Sequence, residues 1–168
     1  MPTLRESYLR VSAARRVALE LPWTEALLRI FETTGYQAGP PHDDETVART
    51  LGIDKETVSI AVAALREARI IELDSEGRYF VSGMLVVDTR DTALAVERLR
   101  WHWSGVAAES VQRNPETWFA YNVISVADKD CQLIEQVLRN AYREIRGIVS
   151  QSAPCERAAL LTMHLSRW

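Results

Sequence analysis

The chain has 168 residues, of which 47% are hydrophobic and 26% are charged, and its formal net charge at pH 7 is −3. This composition is typical of a globular domain and argues against intrinsic disorder. No apolar run approaches the ~20 residues of a membrane-spanning helix, and arginines interrupt the stretch from Met1 to Leu19, which argues against a signal peptide. We therefore expect a cytoplasmic protein with no membrane partner.

Residues able to support catalysis or metal binding are few and scattered. Cys131 and Cys155 show no CxxC pairing, which favours free thiols in a reducing compartment. His42, His102 and His164 have no partner at zinc-ligand spacing, so a metal site would need distant residues to converge. Neither cysteine has a nearby histidine, and no glycine-rich run precedes a helix. We expect no enzyme activity, no cofactor and no metal.

Two helices are predicted before residue 40. The first runs from Arg5 to Leu21, is rich in arginine and has an open role. The second begins after Pro22, because proline suits a first helical turn, and Gly35 is expected to end it. Its apolar residues recur at helical spacing: Trp23, Leu27, Ile30 and Phe31. The Gly39-Pro40-Pro41 run that follows predicts a loop.

The segment from Glu45 to Leu65 is the most informative in the chain. Asp43 or Asp44 can cap a first helix, Gly52 allows a tight turn, and Asp54 can cap a second helix. The residues expected to be buried in the two helices are Val47, Ala48, Leu51, Val58, Val62 and Leu65. This arrangement is typical of a helix-turn-helix, with a generic helical hairpin as the alternative.

An alternating pattern follows the second helix. Ile71 and Leu73 are expected on one side of a strand, the run Asp74-Ser75-Glu76-Gly77 to form a turn, and Tyr79 and Val81 to lie in a second strand. A hairpin directly behind a helix-turn-helix is a wing. Residues 22–82 therefore predict a winged helix-turn-helix domain that follows an N-terminal basic helix over residues 1–21.

Residues 83–168 are predicted to form a regulatory or dimerisation domain. A helix capped by Asp91 runs to about Arg113, with two apolar faces. One face carries Leu99, Trp103 and Val106; the other carries Leu94, Trp101 and Ala108, and we expect Trp101 to point outward.

The remainder predicts a βαβ unit with parallel strands. Thr117 to Ala127 is rich in aromatic and β-branched residues and favours a strand. Asp128 is expected to cap a helix to about Ser150, and Ala158 to Ser166 favours a last strand. The fold class predicted for the whole chain is therefore α+β.

Three segments resemble a family of bacterial proteins of uncharacterised function that is expanded in deltaproteobacteria. Trp23 through Leu27-Leu28-Arg29 resembles the family's opening helix, and Asp44 through Leu51-Gly52 its helix-turn-helix start. Arg98 through His102 to Ala107 resembles its middle helix. Phe119 to Val126 and the helix after Asp128 match in order only. The resemblance covers roughly Trp23 to the C-terminus.

The resemblance implies a transcriptional regulator, because members are described as such from their helix-turn-helix character. Many members also carry an additional N-terminal helix-turn-helix domain, which this sequence does not contain. If that domain is the family's DNA reader, we expect this chain to regulate by contacting proteins instead.

Charge bears directly on whether the predicted winged helix binds DNA, since affinity for a duplex comes largely from lysine and arginine. Residues 22–82 contain six basic and eleven acidic residues, a net charge of −5. If Val58, Val62 and Leu65 face the core, helical spacing places an acidic and apolar set outward. We predict that this set and one tryptophan bind protein, either a second copy or a regulatory partner: Glu56, Ile60, Ala63, Glu67 and Trp101.

The alternative is a regulator that binds operator DNA as a dimer. The residues compatible with DNA contact are Lys55, Thr57, Ser59 and Arg78. In that case the N-terminal arginines would reach the phosphates and offset the acidic domain: Arg5, Arg10, Arg15 and Arg16. A small-molecule pocket in the C-terminal unit, lined by Trp118, Phe119, Tyr121 and His164, also stays open, although aromatic residues on a strand more often fill a core.

Overall fold

The computed structural model describes residues 12–13, 16–82 and 93–167, which combine helices with a small antiparallel sheet. The coarse α+β prediction agrees with this mixture. Residues 12–13 and 16–20 are helical. The elements after them are α1 (Trp23–Phe31), α2 (Thr34–Gln37), α3 (Asp44–Leu51), α4 (Lys55–Glu67), β1 (Ile71–Leu73), β2 (Tyr79–Val81), α5 (Ala93–Arg113) and α6 (Asp128–Gln151).

The chain divides into two compact units. The first comprises Met1–His102 with Pro154–Ala158, and the second Trp103–Ala153 with Ala159–Trp168. The division falls within α5. Residues 83–92 lie outside the described residues. The predicted Asp91 cap and the chain just after the predicted domain boundary at 82–83 therefore lie outside them, as does most of the predicted N-terminal helix.

The core of the first unit lies between α1, α3, α4 and the hairpin. Leu27, Phe31, Val58 and Leu65 have relative exposures of 0 or 1%. The Phe31 ring packs against Tyr79 on β2, with a centroid separation of 5.7 Å. Because each fully buried side chain of this size contributes about 1.5–3 kcal/mol, these residues fix how α4 sits on the rest of the unit.

The first helix of this core ends earlier than predicted. α1 stops at Phe31. A separate short helix, α2, begins after Thr33, whose side chain accepts a hydrogen bond from the Tyr36 backbone N–H. The prediction that Gly35 ends the helix was wrong, since Gly35 lies within α2. The cap that Thr33 provides explains the restart, because a threonine oxygen satisfies a backbone donor that the helix itself leaves unpaired.

The junction between α3 and α4 forms as predicted. Asp43 caps α3 by accepting from the backbone N–H groups of Glu45 and Thr46, and Asp54 caps α4 by accepting from that of Thr57. Gly52 ends α3 with φ of 69°, a left-handed conformation that favours glycine. Val47, Ala48, Val58, Val62 and Leu65 are buried, whereas Leu51 is only half-buried.

The hairpin also forms, with Ile71 opposite Val81 and Leu73 opposite Tyr79 in an antiparallel pair. The Asp74 carboxylate accepts from the backbone N–H groups of Glu76 and Arg78 and so stabilises the turn. Ile71 is buried, whereas Leu73 on the same side of β1 is 55% exposed, because only the first side chain of this three-residue strand lies over the core.

α5 contributes Ala95 and Leu99 to the buried residues, and in the first unit the His102 ring packs edge-on against Trp23 at a centroid separation of 5.3 Å. Burial lowers the pKa of His102. Trp101 is exposed, as predicted, and Leu94 and Ala108 on the same face are exposed as well, while Trp103 and Val106 are half-buried.

The second unit departs most from prediction. α6 forms, but Asp128 is its first residue and Ala127 the N-cap, with no side-chain cap. No βαβ unit is present among the described residues, because residues 117–127 and 158–166 form no strand ladder. A strand exists only where a neighbour accepts and donates its backbone hydrogen bonds, and the described chain supplies no such neighbour to either segment.

Candidate functional site

The outward face of α4 is the surface on which the protein-contact prediction depends. Glu56, Ile60, Ala63 and Glu67 are all exposed, and Ile60 is 49% exposed. The opposite face carries the buried Val58, Ala61, Val62 and Leu65. Helical spacing therefore placed these four residues correctly, and the resulting surface has two apolar side chains with a carboxylate at each end.

The N-termini of α3 and α4 are already neutralised by carboxylates. Hydrogen bonds from Thr46 lower the pKa of Asp43, and hydrogen bonds from Thr57 lower the pKa of Asp54. Both caps are therefore negatively charged at neutral pH. A helix N-terminus is a natural phosphate site, but here an aspartate of the protein itself already accepts from the backbone N–H groups of Glu45 and Thr46 in α3 and of Thr57 in α4.

Most of the residues proposed for DNA contact are engaged within the unit. The Thr57 hydroxyl donates to Asp54 Oδ2 at 2.7 Å, and the Ser59 hydroxyl donates to Asp44. The Arg78 guanidinium bonds Asp74, Glu76 and the Gly39 carbonyl oxygen, and its side chain is 13% exposed. These contacts leave Lys55 as the exposed member of the predicted set.

A half-buried polar network connects the hairpin to α4. The Tyr79 backbone N–H donates to the Tyr36 hydroxyl at 3.0 Å, and that hydroxyl shares a 3.0 Å hydrogen bond with His42 Nδ1. His42 Nε2 lies 2.7 Å from Asp44 Oδ1, and Asp44 in turn accepts from Ser59. Burial raises the pKa of Tyr36 to about 12.

The sequence did not predict this network, because most of its members are distant from His42 along the chain. The only local signal is Asp44, two residues after His42, whereas Tyr36 and Ser59 come from other helices. Although serine, histidine and aspartate meet here, the Ser59 hydroxyl contacts Asp44 and not His42. These three side chains therefore lack the contact between a nucleophile and its base that covalent catalysis requires. The network instead links α2, the start of α3, α4 and β2 by hydrogen bonds.

Trp101 lies on the part of α5 that belongs to the first unit. Its side chain is 76% exposed, and Leu94, seven residues earlier on the same helical face, is 69% exposed. A soluble protein rarely leaves a tryptophan and a leucine exposed to water on the same helical face. Such a surface is typical of residues that contact another polypeptide.

The residues predicted to line a small-molecule pocket do not enclose one. Trp118, Phe119 and Tyr121 are 85, 60 and 81% exposed, and His164 is exposed. A groove of about 450 Å³ lies elsewhere in the second unit, between α6 and the C-terminal segment. Its lining residues are Glu135, Leu138, Arg139, Tyr142, Leu161, Met163, Leu165 and Arg167.

The described residues contain no metal-binding cluster, no disulfide and no helix able to span a membrane. Within residues 12–13, 16–82 and 93–167, no group of three or more His, Cys, Asp or Glu side chains could hold a metal ion. Cys131 and Cys155 form no disulfide. No helix of the described part of the chain combines the length and apolar character needed to cross a bilayer.

Comparison with protein-family models, with curated proteins and with solved structures finds no match. The resemblance to a bacterial regulator family stays a prediction.

Proposed function

We propose that the chain is a non-enzymatic regulatory protein whose first unit is a winged helix-turn-helix used to bind a polypeptide. In this assignment α3 and α4 are the helix-turn-helix, with α4 in the position of the recognition helix, and β1 and β2 are the wing. The tight turn at Gly52, the capped start of α4 and the hairpin directly behind it support the assignment.

The observation that carries the proposal is the outward face of α4. A recognition helix that reads DNA presents donors such as arginine, asparagine or glutamine to base edges. This helix presents Glu56, Ile60, Ala63 and Glu67. Carboxylates in residues 22–82, a segment of net charge −5, repel phosphates, whereas an exposed isoleucine gains free energy when a protein partner covers it.

The arrangement of charges defines the partner's chemistry. Ile60 and Ala63 form an apolar centre, with Glu56 and Glu67 at its two ends. A complementary polypeptide would present a small apolar patch flanked by lysine or arginine. Charges at the rim of such an interface set orientation and association rate, while the covered apolar residues supply most of the affinity.

Operator DNA binding is the alternative function, and exposed Lys55 and Arg16 are the observations that favour it. Fluorescence anisotropy of a labelled mixed-sequence duplex with the purified chain at low salt separates the two functions. We expect no saturable binding by the wild-type chain. Glu56→Lys/Glu67→Lys should bind measurably, and that binding should fall steeply with salt, because it adds positive charge to the helix. Tight salt-dependent binding by the wild type would overturn the proposal.

Selection from a displayed library of helical peptides tests protein recognition itself. Peptides enriched on the wild-type chain should combine an apolar centre with flanking basic residues. Their affinity should fall at least tenfold for Ile60→Asp and for Glu56→Lys, and should be unchanged for Glu72→Lys, a matched reversal on exposed β1. Enriched peptides that bind Ile60→Asp and wild type equally would contradict the proposed site.

A further inference from the structure

The groove of about 450 Å³ in the second unit has one wall on α6. The α6 residues that line it are Glu135, Leu138, Arg139 and Tyr142. At 100° per residue these positions fall within about 100° of arc, so they form one face of the helix. Glu135 and Tyr142, at the ends of this face, are about 10 Å apart along the helix axis.

The other wall is the C-terminal segment, in which every second residue lines the groove: Leu161, Met163, Leu165 and Arg167. The residues between them are polar. Side chains that alternate in this way project from one side of an extended chain. The alternation that predicted a last strand therefore supplies an apolar wall, although the segment forms no strand ladder with the described residues.

Three charged side chains meet at one place in the groove. Arg139 Nη2 donates to Oε1 of Glu135, and Arg167 Nη2 donates to Oε2 of the same carboxylate at 3.0 Å. Hydrogen bonding and charge from Arg139, together with the charge of Arg167, lower the pKa of Glu135, so its carboxylate is an anion at neutral pH. Two positive charges against one negative charge leave a surplus of one positive charge.

The two arginines have further donors for a ligand. Each guanidinium carries five N–H donors in a planar fork, and its contact with Glu135 uses one nitrogen. The side chains of Arg139 and Arg167 are 69 and 58% exposed, so a ligand can reach them. Because a guanidinium pairs with a carboxylate through two parallel hydrogen bonds, this place in the groove favours an anionic group.

The rest of the lining is apolar or aromatic. Leu138 and Leu165 are half-buried, and Tyr142, Leu161 and Met163 are 42, 48 and 37% exposed. An aliphatic chain laid against these side chains would remove apolar surface from water, which favours binding. The volume of the groove falls in the range of ~300–1,000 Å³ that is typical of small-molecule sites.

We propose that this groove binds an aliphatic monocarboxylate, with the carboxylate on Arg139 and Arg167 and the chain along the apolar lining. A single negative charge matches the surplus of one positive charge, whereas a dianion would exceed it. An aliphatic chain is needed as well, because a small inorganic anion would leave the apolar lining in contact with water.

Decanoate, kept below its critical micelle concentration, is the probe for this site. The chain contains three methionines, of which Met163 lines the groove. With methionine methyl groups labelled with carbon-13, decanoate should shift the Met163 signal saturably, and Met163→Leu identifies that signal. Affinity should rise about two- to fourfold for each methylene added between hexanoate and decanoate. A Met163 signal that decanoate does not shift would overturn the proposal.

A probe of opposite charge tests whether the arginines select the head group. Decyltrimethylammonium has an aliphatic chain of the same length and a positive head group. It should bind at least tenfold more weakly than decanoate, because the surplus charge in the groove is positive. Equal affinities would show that the apolar walls bind any amphiphile, and would overturn the assignment of an anionic ligand.

Variants of the charged residues test the same point from the protein side. Arg139→Gln and Arg167→Gln should each weaken decanoate binding about tenfold. Arg143→Gln, which changes an exposed α6 arginine outside the groove lining, is the matched control and should bind like the wild type. Glu135→Gln should bind more tightly, because it removes the carboxylate that competes for both guanidinium groups. Unchanged affinity in both groove arginine variants, or weaker binding by Glu135→Gln, would contradict the proposed site.

This inference is independent of the proposed function, which concerns α4 in the first unit. Ile60→Asp should lose peptide binding and keep decanoate binding, and Arg167→Gln should do the reverse. Failure of peptide selection with intact decanoate binding would overturn the proposed function alone. Loss of decanoate binding in Ile60→Asp would contradict a ligand site confined to the second unit.

Discussion

The two units of this chain differ in how much of their apolar surface they bury for themselves. The first unit, with α1 and α4 at its centre, buries Leu27, Phe31 and Leu65 almost completely. The second has a longer helix, α6, in which nothing is buried, and a neighbouring segment with exposed aromatic residues. The same chain thus contains one unit that buries its own large apolar side chains and one whose described residues leave many of them exposed.

The largest test of this difference truncates one phenylalanine in each unit. Phe31→Ala should lower the free energy of unfolding by about 3–5 kcal/mol, because it leaves a cavity beneath Tyr79 and Tyr36. Phe119→Ala is the matched control; since Phe119 is 60% exposed, it should cost less than ~1 kcal/mol at concentrations where the chain is monomeric. Urea denaturation followed by circular dichroism measures both. Equal losses would contradict the contrast between the units.

A glycine pair gives the next largest effect. Gly52→Ala should destabilise the first unit by roughly 1–2 kcal/mol, because Gly52 has φ of 69°. Gly105→Ala, in α5 and within the second unit, meets no atom within 4 Å of the added Cβ and should stabilise by about 0.5–1 kcal/mol. Thermal unfolding of the two variants should shift in opposite directions. A neutral Gly52→Ala would show that the turn between α3 and α4 relaxes freely.

How well these regions could be predicted depended on whether their signals were local. Asp54, Gly52 and Val58 lie within a few residues of one another, and a cap, a left-handed turn and a helical stripe are each determined over such a distance. The three features were therefore predictable from the sequence, as was the exposure of Ile60.

The features that were predicted wrongly or missed depend on residues that are far apart in the sequence. The β-branched and aromatic residues of 117–127 favour a strand, but a strand also needs a partner, and sequence composition says nothing about whether the fold supplies one. The sequence position of Arg78 is compatible with phosphate contact, but in the structure its guanidinium bonds Asp74, Glu76 and the carbonyl oxygen of Gly39. The network of Tyr36, His42, Asp44 and Ser59 joins separate elements, and no local pattern announces it.

The smallest expected effect is a pH dependence specific to the first unit. Hydrogen bonds lower the pKa of Asp54 below its ordinary 3.8 in the folded state. Its contribution to stability is therefore present above pH 3.8 and is lost as the pH falls through the lower, folded-state pKa. Asp54→Asn keeps a good cap but cannot titrate, so its stability should fall less steeply between about pH 5 and pH 2 than that of the wild type.

Acid titrations of unfolding, monitored by circular dichroism, would detect the change in slope. Thr57→Val is the matching variant, because it removes a hydroxyl that stabilises the charged Asp54 and should flatten the profile in the same direction. A slope unchanged in both variants would show that Asp54 has no stabilising role as an anion.

Hydrogen exchange measured by mass spectrometry tests the contrast between the units most directly. Exchange should be slowest in α1 and α4, whose buried side chains hold the core of the first unit together, and much faster in residues 118–126, which are exposed and belong to no helix or strand. Protection of residues 118–126 equal to that of α4 would contradict the account.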